Sequence, residues 1–421
     1  MTTVQIIALV VFILVMAAIV SEKIHRAAAA IAGALILIFF GIIDFNESLG
    51  FIDFNTLGVL IGMMTFVGVV KESGLFEFLA IKSAKIAKGN PWRIMVIFII
   101  ITAVLSALLD NVTTVLLIGP MTLTICAMLE INPVPFLMTQ ILASNVGGTA
   151  TLIGDPPNIM IGSAANLSFG DFLANLALPV VVILIVFILI FKVMYGRKMH
   201  VTNDAMASVM QLDEKKAIKD RPLFIKSVVM IVIVVAGFVL HGSIGVSSSV
   251  VALTAAAIML IIGKQEVEHI LCSIEWPTIL FFVGLFVVVG GMEKVGIITA
   301  LADFLMNATH GEMMMAMILI VVVSAVVSAI LDNIPFVATM IPVIITMQQS
   351  GMDVMPLWWA LSLGACLGGN GTLIGASANV VLSGISKREG YPITFIDFLK
   401  VGFPMMLVSV AIAAVYLVIR Y

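Results

Sequence analysis

The chain has 421 residues, of which 62% are hydrophobic and only 11% are charged. Soluble domains carry about 25% charged residues, so the composition excludes an ordinary soluble protein. The formal net charge of −3 does not suggest a polyanionic partner, and no nucleic-acid partner is expected.

Apolar runs long enough to cross a bilayer recur along the chain. A hydrocarbon core about 30 Å thick requires roughly 20 helical residues. In chain order, the predicted spans cover residues 4–20, 27–43, 55–70, 134–164, 173–194, 226–242, 247–263, 277–292, 356–385 and 401–419. Two further apolar segments, 94–128 and 313–348, are interrupted at their centres. We therefore predict an all-α polytopic membrane protein of the cell membrane, surrounded by lipid.

The sequence contains an internal duplication. A shift of 222 positions places LSALLDNVTTVLLIGP (105–120) over VSAILDNIPFVATMIP (327–342), and a shift of 221 places GGTATLIGDPPN (147–158) over GGNGTLIGASAN (368–379). Generic apolar similarity does not align Leu-Asp-Asn and Gly-Thr-Leu-Ile-Gly. We predict two inverted repeats of five transmembrane helices, each with a re-entrant hairpin and a broken helix. Their predicted bounds are 1–194 (hairpin 94–128, broken helix 134–164) and 226–421 (hairpin 313–348, broken helix 356–385).

Residues 195–225 form the hydrophilic linker between the repeats, and we expect a flexible cytoplasmic connection. With the interrupted segments as re-entrant hairpins, every Lys and Arg except Lys294 and Arg420 falls on the side of this linker. The positive-inside rule makes that side cytoplasmic, so both termini are predicted to be extracytoplasmic. The segment 76–88 has basic residues at helical spacing and is expected to lie along the cytoplasmic interface.

The broken helix of the first repeat contains SNVGGTATLIGDPPN (144–158). Its glycines permit unwinding and its prolines suit a helix restart. Backbone groups left unpaired in lipid cost several kcal/mol each unless they line a cavity or bind something. Broken helices within repeats are typical of secondary transporters, which bind substrate and ions near the membrane midplane. The predicted ligands are Ser144, Asn145, Thr149, Thr151, Asp155 and Asn158, with Asn370, Thr372, Ser377 and Asn379 from the second repeat.

Two acid–amide pairs, Asp110-Asn111 and Asp332-Asn333, fall at the predicted hairpin tips. An ionisable residue at membrane depth indicates a functional site by default. The alternative is a turn or a helix N-cap, because Asp and Asn suit both, and we expect capping as an additional duty. For Asp155, N-capping of the helix that starts at Pro156 competes with ion binding or proton transfer. Asp155 is matched by Ala376 in the second repeat, so one repeat carries an extra acid.

The predicted site holds the carboxylates Asp110, Asp155 and Asp332, and no Lys or Arg. It should therefore attract cations or protons. We expect no cofactor, with H+ or Na+ as the coupling ion, and no metal other than Na+ at the same residues. The chain lacks a Walker A pattern, which leaves room for a separate ATPase subunit. An enzyme or a channel is disfavoured, because no His/Glu or Ser/Lys/His grouping and no continuous polar stripe lies at membrane depth.

The motifs LSALLDNVTT, SNVGGTATLIGDPPNIMIG, LDNIPF and GGNGTLIGASANVV resemble the signatures of the ArsB/NhaD ion-transporter superfamily. Within it they are most similar to the P-protein-like permease branch, with its arsenite-pump and citrate-transporter-like domains. The resemblance implies a two-repeat fold, a homodimer, an elevator-type mechanism, and antiport or symport driven by proton or sodium gradients.

The substrate stays open between three classes found among such relatives. Arsenite or antimonite efflux is the leading expectation, since arsenite is a neutral triol that Asp, Asn and Thr oxygens could hold. Cys366 is placed to contact it, or is simply a small buried residue. A Na+/H+ antiporter is the first alternative, and an anion or dicarboxylate carrier is the second. The Ser-Asn-Thr signature of dicarboxylate carriers appears here only as Ser144-Asn145-Val146, with Ala365-Cys366-Leu367 in the second copy.

Overall fold

The computed structural model describes residues 1–21, 23–196, 199 and 201–421, and every regular element in that part of the chain is a helix. The predicted all-α class is therefore confirmed. Among the described residues, nine helices are long and apolar enough to cross a membrane. Further apolar helices are shorter. Their lengths and composition are those of a multi-pass membrane protein.

The first half of the chain forms ten helices between residues 3 and 194. They are α1 (Thr3–Ser21), α2 (Arg26–Phe39), α3 (Phe45–Gly50), α4 (Phe54–Lys71), α5 (Leu75–Ile86), α6 (Pro91–Leu108), α7 (Asn111–Met128), α8 (Val134–Gly148), α9 (Pro156–Ala165) and α10 (Phe169–Met194).

The rest of the described chain forms eleven α-helices and one short 3-10 helix, Glu214–Ala217. They are α11 (Asn203–Met210), α12 (Arg221–Ile244), α13 (Ser248–Gly263), α14 (Val267–Cys272), α15 (Trp276–Lys294), α16 (Ile297–Ala308), α17 (Met313–Ile330), α18 (Asn333–Gln349), α19 (Met355–Gly368), α20 (Ser377–Arg388) and α21 (Phe395–Arg420).

Both interrupted segments are helix pairs joined by two residues. Leu109 and Asp110 connect α6 to α7, and Leu331 and Asp332 connect α17 to α18. We call these connections the first and second hairpin tips. The aspartate of each tip accepts a hydrogen bond from the backbone of the helix that follows, which starts the new helix. The acids thus stand where one helix ends and the next begins.

Both predicted broken helices are pairs of helices separated by an irregular segment. Residues 149–155 separate α8 from α9, and residues 369–376 separate α19 from α20. The first of these segments is buried throughout. Glycine lets α8 approach α6 closely: a Cβ atom on Gly147 would lie 2.2 Å from the carbonyl oxygen of Ala103. The end of α8 therefore lies directly against the first hairpin.

Two pairs of the remaining helices pack across the two halves of the chain. Helix α4 packs on α13, and α2 packs on α15. The first helix of each hairpin packs on the broken helix of its own half, α6 on α8 and α17 on α19, and the second helices also pack across the halves, α7 on α20 and α18 on α9. The site described below lies where the hairpin tips and the breaks meet the starts of α2 and α15.

The linker departs from the expected flexible connection. From residue 201 onward it contains α11 and the 3-10 helix, and Val209 of α11 is fully buried. Lys85 of α5 pairs with Glu214 at 2.5 Å, and the backbone N–H of Lys219 donates to the carbonyl of Ser73 at 3.1 Å. The linker is thus packed onto α5. Arg197, Lys198 and His200 of the predicted linker, and Glu22 of the α1–α2 loop, lie outside the described residues.

The predicted orientation can be tested with single cysteines. Ala207 in α11 and Asn307 in α16 are both exposed. In a cysteine-free chain in intact cells, we expect Asn307→Cys to react with an impermeant maleimide. Ala207→Cys should react only after permeabilisation, because the positive-inside rule puts the linker in the cytoplasm. Labelling of both positions in intact cells would contradict the inverted repeats.

Candidate functional site

Four buried asparagines join the two breaks. Asn145 of α8 donates from Nδ2 to the side-chain oxygens of Asn370 and Asn379, each at 2.9 Å. Its own oxygen accepts from Asn111 of the first hairpin at 3.3 Å. All four belong to the predicted site, and all four are buried. The structure thus brings predicted residues from both halves of the chain into one hydrogen-bonded group.

Two asparagines also pair the carbonyls that the breaks leave free. Asn158 Nδ2 donates to the carbonyls of Gly148, Thr149 and Thr151 at 2.9–3.3 Å. Asn379 Nδ2 does the same in the second half, donating to Gly369 at 2.7 Å and Thr372 at 2.9 Å. The last carbonyls of a helix lack intrahelical partners. These amides therefore hold the unwound backbone in shape.

Several predicted hydroxyl ligands donate to the backbone instead of facing an empty site. Thr151 donates to Ala107 of α6, and Thr372 donates to Ala329 of α17, both at 2.5 Å. Ser144 donates to Ile141 at 2.8 Å, and Thr149 donates to Asn145 at 2.8 Å. Their protons are therefore already engaged. The two long-range bonds fasten each break to the hairpin of its own half.

Asp155 is the most buried acid of the site, with 1% of its surface exposed. It precedes α9, but its side chain makes no capping hydrogen bond, so the N-capping alternative is wrong. Both carboxylate oxygens face Asn333 of the second hairpin, whose Nδ2 donates at 3.2 and 3.3 Å. Among the described residues, no ion pair reaches Asp155.

Asp110 and Asp332 both have the expected capping duty. Asp110 accepts from the backbone N–H of Thr113 at 2.8 Å, and Asp332 accepts from that of Ile334 at 3.4 Å. The second oxygen of Asp332 accepts from Arg26 at 2.8 Å and from Ser377 at 3.2 Å. Whether these acids also bind ions stays a prediction.

A small cavity of about 20 Å³ lies between the tips and the first break. A single water needs roughly 10–15 Å³ of such volume, so the cavity accommodates one water-sized species. It brings together predicted and unpredicted polar groups. Its polar lining consists of Arg26, Asp110, Asn111, Asp155, Glu275, Thr278, Asn333 and Ser377.

The prediction that the site holds no Lys or Arg is wrong. Arg26, the first residue of α2, donates from Nη1 to Asp332 at 2.8 Å and to Ser377 at 2.7 Å. Its Nη2 donates to Thr278 of α15 at 3.0 Å. Glu275 was also missed. The signals in the sequence were a lone Arg at the start of an apolar run and Glu275-x-x-Thr278 at the start of another.

Cys366 lies beside the site, and its thiol is not exposed. Its Sγ lies 3.5 Å from Oδ1 of Asn158, and Ser362 donates to the same oxygen at 2.6 Å. The thiol is fully buried. This arrangement fits the expectation of a small buried residue and leaves Asn158 with every polar atom engaged.

The chain is similar in sequence to a family of transporters and similar in fold to a solved transporter. A family model described as citrate transporter, CitMHS, matches residues 16–364. The chain is 42% identical to an uncharacterized transporter of Mycobacterium tuberculosis, with 99% of each chain aligned. It is 33% identical to the P protein of Homo sapiens, over 97% of this chain and 59% of that protein. The solved YdaH transporter of Alcanivorax borkumensis has a similar fold, with a TM-score of 0.62, 14% identity and coverage of 99% and 98%.

Proposed function

The chain belongs to the CitMHS citrate transporter family, and from this premise we propose that it is a secondary active transporter coupled to a proton or sodium gradient through the carboxylates of the site. It is a membrane transporter and not an enzyme. The coupling residues in this proposal are Asp155, Asp110 and Asp332.

The environment of Asp155 carries the proposal. Its carboxylate is buried, and its hydrogen-bond donor is a neutral amide. A charged carboxylate at membrane depth is expensive without a cation beside it, so the group is stable when it binds either a proton or a cation. Alternation between those two partners is the requirement for coupling an ion gradient to transport.

The cavity size supports a small ion as one transported species. About 20 Å³ suits one water-sized ion and excludes a multi-atom anion in this conformation. Sodium–proton exchange is therefore our first choice. Arsenite or antimonite efflux gains nothing from the geometry, because the hydroxyl protons of Ser144, Thr149 and Thr151 are committed to backbone carbonyls.

A carboxylate carrier is the second candidate. The family description names citrate, and Arg26 offers a guanidinium, the group that pairs best with carboxylates. That guanidinium is bound to Asp332 in this conformation, so an anion would require a rearrangement. Counterflow of labelled citrate distinguishes this candidate from sodium–proton exchange.

The coupling proposal predicts the effect of removing the tip charges. In proteoliposomes with a trapped pH dye, external Na+ should drive proton movement by the wild-type chain. Asp110→Asn and Asp332→Asn should each lower that rate at least about tenfold, as expected when a transport-site charge is lost. Asp110→Asn should fold normally because Asn is an equally good cap, whereas Asp332→Asn also removes the partner of Arg26 and is expected to be less stable, so the rates are compared per amount of folded protein. The exposed Asp204 in α11 provides the control, Asp204→Asn.

If both tip variants transport at the wild-type rate, Asp110 and Asp332 are not coupling residues and have only structural roles. A wild-type chain that moves citrate or arsenite without any Na+-dependent proton movement would overturn sodium–proton exchange.

A further inference from the structure

Arg26 lies on the boundary between two cavities. On one side is an open pocket of about 290 Å³, lined mainly by apolar residues of α1, the α1–α2 loop, the second hairpin and α20. On the other side is the small cavity of about 20 Å³ that contains Asp110 and Asp155. The residues common to both linings are Arg26 and Ser377. Together with Asp332 they separate the open pocket from the buried acids.

The contacts of Arg26 also bridge two packing units. Arg26 and Thr278 belong to the packed pair α2 and α15. Asp332 belongs to the second hairpin tip, and Ser377 begins α20 after the second break. One guanidinium therefore ties the α2–α15 pair to both irregular segments of the second half. The Phe281 ring, 5.3 Å from the guanidinium carbon, supports the side chain from α15.

The charges around Arg26 explain why it stays in place in this conformation. The acids that face it are Asp332 in direct contact, and Asp110, Asp155 and Glu275 in the lining of the small cavity. The Asp332 carboxylate is 12% exposed and the Arg26 side chain 26% exposed, so the pair is only weakly screened by water. Leaving one member of a buried pair alone is unfavourable. Release of Arg26 therefore requires another cation near these acids.

We propose that Arg26 is the gate of the carboxylate cavity: its guanidinium holds Asp332 and Ser377 across the passage from the open pocket, and a cation arriving at the acids replaces it. The barrier follows from the contacts alone. The replacement by a cation rests on the proposed coupling function. Arg26 has a different role from the coupling acids. It compensates their negative charge when no ion is bound, and it blocks access to the small cavity.

Thiol accessibility tests the barrier without any transport measurement. In purified full-length chain with Cys126, Cys272 and Cys366 changed to Ala, a reporter Met64→Cys lies in the small cavity and a reporter Val380→Cys lies in the open pocket. The probe is neutral methyl methanethiosulfonate, whose approach is not altered by the loss of a charge. Arg26→Gln should raise the labelling rate of Met64→Cys about tenfold. Minor conformations are typically populated at about 0.1–10%, and the substitution should make the open conformation of the gate a major one.

The controls separate gating from general loosening. The labelling rate of Val380→Cys in the Arg26→Gln chain should stay within about twofold of its rate in the chain that keeps Arg26, which is small beside the expected tenfold change. Arg93→Gln, at an exposed arginine, should leave both reporters unchanged. If Arg26→Gln does not yield folded protein, Ser377→Ala removes a hydrogen bond of the gate without stranding a charge and should raise Met64→Cys labelling in the same direction.

Unchanged Met64→Cys labelling in folded Arg26→Gln, or in Ser377→Ala if that variant is used, would overturn the gate. Adding NaCl in place of choline chloride tests the replacement by a cation. Na+ should raise Met64→Cys labelling in the otherwise wild-type chain and have no further effect in Arg26→Gln. If Na+ has no effect while Arg26→Gln still opens the cavity, the barrier stands and replacement by Na+ is overturned, whatever the transport assay shows.

Discussion

Asp155→Asn is expected to slow sodium-driven proton movement at least about tenfold, as for a lost charge in a transport site, and to change its dependence on pH. In the wild-type chain, protons compete with Na+ for the carboxylate, so Na+ transport should fall as the pH falls. An amide binds neither partner, so the small residual rate should lose the part of the pH dependence that Asp155 imposes. Folding should survive, because the side chain caps no helix and the amide oxygen can still accept from Asn333.

The measurement is the initial rate in proteoliposomes over the pH range in which the vesicles stay sealed. Asp303→Asn is the matched control, since Asp303 is an exposed acid on α16. A wild-type rate and pH profile in Asp155→Asn would show that Asp155 is not the coupling acid. The chemistry would then lie wholly on Asp110 and Asp332.

Gly147→Ala is expected to prevent the break from packing against its hairpin. The added Cβ would lie 2.2 Å from the carbonyl oxygen and 2.4 Å from the Cα of Ala103. Both are backbone atoms of α6, so no side-chain rotation relieves the clash. Overpacking costs about 1–3 kcal/mol where side chains can shift, and we expect at least the upper end of that range here.

Yield of monodisperse protein and the midpoint of thermal unfolding measure this effect. Gly384→Ala in α20 is the matched control, because a Cβ there meets nothing within 4 Å. Alanine in a helix is favoured over glycine by about 1 kcal/mol, so the control should be as stable as the wild type or slightly more so. Equal midpoints for the two variants would mean that α6 and α8 can separate without cost.

The helices were largely predictable, because length and apolarity determine membrane spans locally. The breaks were also predictable, since Gly and Pro act at the position where they stand. The first and last residues of the helices were less predictable. The span predicted to end at residue 43 ends at Phe39, with a turn at the left-handed Gly41. The span predicted to begin at residue 401 begins at Phe395, because Thr394 caps the helix by accepting from the N–H of Asp397.

The acids and amides of the site could be found from sequence because each stands inside a local motif. Their partners could not. Arg26 meets Asp332 across 306 positions of chain, and no local pattern encodes that distance. The predicted span 27–43 left Arg26 in the loop before it, because the positive-inside rule assigns a charge to one side of the membrane and says nothing about its depth. The asparagine group was predicted as a set of residues, but its pairing across the halves was not.

The pairing of Asn145 has a consequence for biosynthesis. Its partners Asn370 and Asn379 lie 225 and 234 positions further along the chain. At about 5–20 residues per second, Asn145 is synthesised on the order of 10–45 s before these partners. During that interval the amide nitrogen of Asn145 lacks both of its final acceptors, and only its oxygen can find its final partner, Asn111. The pairing of Asn145 can therefore form only after residues 370 and 379 have been synthesised, and chains truncated before Asn370 should lack it and be more sensitive to proteolysis.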